Sequence, residues 1–122
     1  MYARMKGFLA LAVGFAALAA ATTALAGSNA ATTARLVGVT SPARRNAEAA
    51  VIAYVVPARR CTIAVLYKSG PSHAQGLSPK RPVRGYVTWK WQVGGNTTLG
   101  IWPIQVSCGS AGSFQTHFRV IR

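Results

Sequence analysis

"GYVTWKWQVG", residues 85–94, reads with a period of two. Val87, Trp89, Trp91 and Val93 fall on one face of an extended strand, and Tyr86, Thr88, Lys90 and Gln92 fall on the other. Both indoles thus share a face with valines. That pattern predicts a strand with one buried side, in which the tryptophans are core residues rather than a surface platform for sugars or bases. Two sheets packed face to face must fill a slab about 10 Å thick, and this chain is otherwise rich in alanine and other small residues. Trp89, Trp91 and Trp102, with Phe114 and Phe118, supply the missing volume.

Outward from this strand, the chain is a series of short apolar runs separated by turn residues, which predicts an all-β fold. "RLVGVT" (35–40) ends at Ser41-Pro42, and "ARRNAE" (43–48) reads as a polar turn. "AAVIAYVV" (49–56) ends at Pro57, which cannot donate to a ladder. "CTIAVLYK" (61–68) ends at Ser69-Gly70-Pro71. Residues 72–84, "SHAQGLSPKRPVR", read as a long irregular connection to the Trp strand. "LGIWPIQVSC" (99–108) and "SFQTHFRVI" (113–121) complete the set. Alternation places Cys61, Ile63, Val65 and Tyr67 on one face, and likewise Trp102, Ile104, Val106 and Cys108. In the last run Phe114, Thr116, Phe118 and Val120 face inward, with Gln115, His117 and Arg119 outside.

The chain has 122 residues, enough for one domain. Arg4 and Lys6 precede an uncharged run from Gly7 to Ala26 that ends in the small-x-small site Ala24-Leu25-Ala26. This predicts a cleaved signal peptide over residues 1–26; the alternative is a retained anchor helix. Residues 27–34 are small and polar and read as a disordered lead-in, so the sandwich is expected over 35–122, with no membrane span after cleavage. Cys61 and Cys108 are the only cysteines, and both lie on core-facing positions, one at the start of its run and the other at the end. In an exported chain a disulfide is the expectation. Closing a loop of about 50 residues is worth about 4 kcal/mol on chain entropy alone. His73 and His117 have no ligand-like spacing to the cysteines, and no metal or cofactor is expected.

The stretch from Cys61 to Ile121 resembles a bacterial immunoglobulin-like module of exported and surface proteins. The resemblance rests on "YKSGPS" (67–72), "GLSPK" (76–80), the Val-x-Trp-x-Trp-x-Val strand (87–93), "NTTLGIWPIQVSC" (96–108) and the terminal "FRV" (118–120). It implies an immunoglobulin-like β-sandwich of about six to seven antiparallel strands with Greek-key connections, used as a structural or adhesion module. Antibody-type domains place a tryptophan midway between their cysteines. Here the double tryptophan comes late, so their inter-sheet bridge is not carried over.

The composition excludes much chemistry. Glu48 is the only acidic side chain, so paired carboxylates and a Ser-His-Asp triad are impossible. "GGNTT" (94–98) opens no helix and is no phosphate cradle. A non-enzymatic protein is expected, with no small-molecule substrate. Removing Arg4 and Lys6 from the fourteen Lys and Arg leaves twelve against Glu48, formally +11. Such a surface holds a positive potential of several kT and attracts polyanions. The candidate binding residues are Lys80, Arg81 and Arg84 in the long connection, with Arg59 and Arg60. Two partners are therefore expected for a secreted or envelope-associated module: another protein, or an anionic polymer such as a wall polymer, nucleic acid or lipid headgroups.

Overall fold

The computed structural model describes residues Thr32–Arg122. The expected signal peptide (1–26) and the first part of the expected lead-in lie outside the described residues. Eight strands follow in order: β1 (Thr33–Val39), β2 (Ala43–Arg44), β3 (Glu48–Val56), β4 (Thr62–Tyr67), β5 (Gly70–Pro71), β6 (Tyr86–Gln92), β7 (Gly100–Ser107) and β8 (Ser113–Ile121). A single 3₁₀ turn, Gly109–Ala111, joins β7 to β8. The strands form two sheets. One is three-stranded in the order β1-β3-β6; the other has the order β2-β8-β7-β4-β5. Together they enclose one apolar core.

The register shows why the indoles are needed. Across the β3–β6 ladder Ala49 lies opposite Trp91, Val51 opposite Trp89 and Ala53 opposite Val87. The alanines of β3 leave room that the neighbouring indoles fill, so small and large side chains interdigitate at native packing density. Trp89 is 0% exposed and Trp91 2%. From the facing sheet Phe118 meets Trp91 edge-on, with ring centroids 5.7 Å apart. Both buried indole N–H groups find acceptors, as burial demands. Trp89 Nε1 donates to the Ser78 carbonyl (2.9 Å) and Trp91 Nε1 to the Tyr67 hydroxyl (3.2 Å). Burial pushes the Tyr67 phenol above its ordinary 10.0, an effect the bond from Trp91 partly offsets.

Cys61 and Cys108 form a disulfide. β4 and β7 are antiparallel neighbours with Thr62 opposite Ser107. The two cysteines therefore face each other one step further along the ladder, with Cα atoms 4.1 Å apart. The bridge ties two strands of one sheet and does not cross the sandwich.

Four features differ from the sequence reading. Residues Ala43–Arg44, read as turn, form β2, which pairs with Val120–Ile121 of β8. That pairing is parallel, so the sandwich is not wholly antiparallel; two residues are too few to show an alternation. β1 begins at Thr33, inside the stretch read as disordered, because Thr33 and Ala34 pair with Val56 and Val55. The run 35–40 is interrupted by a bulge between Leu36 and Gly38, so that Leu36 and Val39, three residues apart, both pack against the core while Val37 lies exposed. Trp102 packs against the core but is only half-buried, unlike the enclosed Trp89 and Trp91. Its indole donates to the Thr98 carbonyl (2.8 Å), so it also closes the turn before β7.

Candidate cationic surface

The sequence-predicted cations come from segments some twenty residues apart in the chain. One backbone pairing brings four of them together. Cys61 N–H donates to the Lys80 carbonyl (2.7 Å) and Lys80 N–H returns a bond to the Cys61 carbonyl (2.9 Å). This antiparallel bridge lays Arg59-Arg60 beside Lys80-Arg81. Because Cys61 is also the disulfide residue, the pairing is anchored covalently to β7 through Cys108.

The cations differ in what they do. Lys80 Nζ donates to the Thr88 carbonyl (3.0 Å), so part of its role is to hold the connection against β6. Arg59 donates from Nε to Ser110 Oγ (3.0 Å), which fixes it over the 3₁₀ turn. Arg60, Arg81 and Arg84 are exposed. Arg84 sits at φ +54° in a tight turn with Gly85, closed by reciprocal bonds between Val83 and Tyr86 (2.8 and 3.0 Å).

The connection that carries these charges is irregular in conformation but well anchored. Besides the Cys61–Lys80 pairing and the Trp89–Ser78 bond, Gly76 lies directly on the edge of β6. It has φ +96°, and a Cβ there would overlap the Lys90 carbonyl oxygen. Only glycine allows that approach.

Sequence reasoning missed one cation and two aromatics. On the outward face of the three-stranded sheet Arg35 lies opposite Tyr54, and Tyr54 opposite Tyr86. The Arg35 guanidinium carbon is 5.1 Å from the Tyr54 ring centroid. Tyr54 and Tyr86 meet edge-on at 5.1 Å. The outward parity of Tyr86 was readable from the alternation; its meeting with Tyr54 and Arg35 depends on register. Arg35 and Tyr86 lie at the same end of their sheet as Arg84, whose neighbour Gly85 accepts a bond from Val55 N–H (2.7 Å). Glu48 lies at the other end of β3, opposite Gln92. The disulfide end of the domain thus carries Arg35, Arg59, Arg60, Lys80, Arg81 and Arg84, and the only acidic side chain is remote from them.

His73 and His117 are exposed. Among the described residues no group of three or more His, Cys, Asp or Glu side chains is placed to hold a metal ion, and no helix is long and apolar enough to cross a membrane. The chain matches no family model, and no curated protein matches it in sequence.

Proposed function

We propose that this is an exported, non-enzymatic binding module of immunoglobulin-like architecture, and that its disulfide end binds an anionic polymer. The carrying observation is the Cys61–Lys80 pairing, which concentrates Arg59, Arg60, Lys80 and Arg81 on one surface with Arg84 close by in the chain. Dispersed cations would only keep the domain soluble, whereas clustered ones focus a field on one ligand. The immunoglobulin-like reading is supported by the strand order: the first strand pairs in one sheet and its short continuation, β2, pairs parallel with the last strand in the other. The disulfide fits an oxidising compartment, secreted or at the cell envelope.

Binding carried by these side chains is salt-dependent and sequence-blind. For duplex DNA the slope of log affinity on log salt is about −0.9 per phosphate neutralised. The triple variant Arg60→Gln/Arg81→Gln/Arg84→Gln should therefore flatten the slope by up to about 3 units. Arg44→Gln/Arg119→Gln/Arg122→Gln removes the same charge from the opposite end and should leave it nearly intact. Equal effects of the two triples would show that net charge alone matters, and would overturn the assignment. A second reading, adhesion to another protein, is favoured by Val83 (73% exposed) and Tyr86 (49%) beside the cations. Apolar contact of that kind survives salt that abolishes phosphate contact.

A further inference from the structure

The cationic end is bordered by exposed ring and aliphatic surface, and this narrows the kind of polymer that fits it. We infer that the surface formed by Tyr86, Val83, Arg84 and Arg35 binds single-stranded nucleic acid, with phosphates on the arginines and bases laid against Tyr86 and Val83. This rests on the polyanion reading above and goes beyond it in ligand class.

Three observations carry it. First, Tyr86 and Val83 are exposed although they lie on a pinned backbone: each donates its N–H to the other's carbonyl. Their exposure is therefore built into the turn. Second, that turn is held against the sheet at Gly85. A Cβ there would lie 2.7 Å from Tyr54 Cε1, so the backbone packs straight onto the Tyr54 ring. Third, Tyr54 is itself buttressed, with Arg35 over its ring and Tyr86 in edge-type contact with it. Tyr86 thus has Tyr54 beside it and remains 49% exposed, with Arg84 two residues before it in the turn and Arg35 across Tyr54 on the same sheet face. Aromatic faces beside a basic track are what single strands require, because every unpaired base has a face to stack.

Other polyanions use less of this surface. In a duplex the bases are stacked on one another and present only their edges. Inorganic polyphosphate and wall polymers of polyol phosphate have no flat ring to set against Tyr86. Of these polymers, a base-bearing single strand is the one that sets a flat ring against Tyr86 while its phosphates meet the cations.

The test compares three probes with the purified protein at 50 mM salt: a labelled deoxythymidine 12-mer, a duplex of equal length, and inorganic polyphosphate of matched charge. The single strand should bind tightest. Tyr86→Ala should weaken it by about 5- to 150-fold, the range for one stacked base, while polyphosphate affinity changes less than about twofold, the response of contacts that are charge alone. Tyr86→Phe should retain single-strand binding. Polyphosphate binding with no preference for the single strand, or with an equal loss in Tyr86→Ala, overturns this inference but leaves the polyanion reading intact. Failure of all three probes to bind overturns both. Preference for the duplex would assign the surface to backbone contacts only, and would also overturn the inference.

Discussion

Gly76 lies on the surface, where an alanine substitution ordinarily changes stability by no more than about 0.5 kcal/mol. Here the structure argues for a much larger effect. An alanine must adopt φ near +96°, at a cost of roughly 1–2 kcal/mol for an L residue. Its Cβ would also overlap the Lys90 carbonyl oxygen and lie 3.1 Å from the Lys90 carbonyl carbon, both backbone atoms that cannot swing aside. The connection must then lift from β6. Two residues on, Ser78 is the acceptor for the buried Trp89 indole, and leaving that donor unpaired costs about 1–3 kcal/mol. Gly76→Ala should therefore lose about 2–5 kcal/mol, a fall in urea midpoint of about 1–4 M for a domain of this size. Gly38→Ala is the control. A methyl group added at Gly38 would meet nothing within 4 Å, and the backbone there is not left-handed, so this variant should stay within about 0.5 kcal/mol of the parent. Iodide quenching of tryptophan fluorescence should rise in the first variant only. A Gly76→Ala protein as stable as Gly38→Ala would refute the close approach and, with it, the anchoring of the cationic connection.

Two further outcomes follow from the core. Cys61→Ala/Cys108→Ala opens a cross-link spanning 47 residues, and denaturant titration should show a loss of about 4 kcal/mol; a loss below about 1 kcal/mol would mean the bridge constrains little in the unfolded chain. Burial raises the folded Tyr67 pKa above its ordinary 10.0, so the unfolded chain releases that proton first. The stabilisation is complete below pH 10 and is lost as pH climbs from there towards the folded value. Tyr67→Phe should remove that alkaline decline, while costing about 1 kcal/mol at neutral pH through the unpaired Trp91 indole. Midpoints at about pH 8 and about pH 11, on either side of the ordinary phenol value, check both, and an identical alkaline decline in the two proteins would assign it to other groups.

The parts of this fold that were legible are those set by local pattern. Alternation over 85–94 placed Trp89 and Trp91 on one face because side-chain direction in a strand repeats every two residues. It could not show that Ala49 lies beside Trp91, which depends on how β3 and β6 pair. β2 and β5 were illegible for a different reason: two residues carry no period, and their pairing is decided by the strands they meet. Trp102 had the right parity, yet its indole, bonded to the Thr98 carbonyl in the turn before β7, is only half-buried. For the cationic surface, composition identified the residue types but not their assembly. Arg59-Arg60 and Lys80-Arg81 become neighbours only through the Cys61–Lys80 backbone bonds. Arg35 carries no local signal in the sequence; only register sets it over Tyr54.

Because the disulfide joins neighbouring strands of one sheet, it also governs how the domain responds to tension. Thr33 pairs with Val56 near the bridged end, and Arg122 follows the β2–β8 pairing at the other. A pull between them runs along the strands, loading the β1–β3 and β2–β8 ladders in shear, so that several bonds must yield together. Should they yield, the chain between the cysteines, which stand 47 positions apart, cannot unravel into extended chain, because 4.1 Å of cross-link takes its place. At about 3.4 Å per extended residue, residues 32–122 would reach roughly 310 Å without the bridge but only roughly 150 Å with it. The strands β4, β5, β6 and β7, together with the connection bearing Lys80, Arg81 and Arg84, all lie inside the locked loop. A stretched molecule would lose its outer strands while those three cations stayed within a short, covalently closed segment.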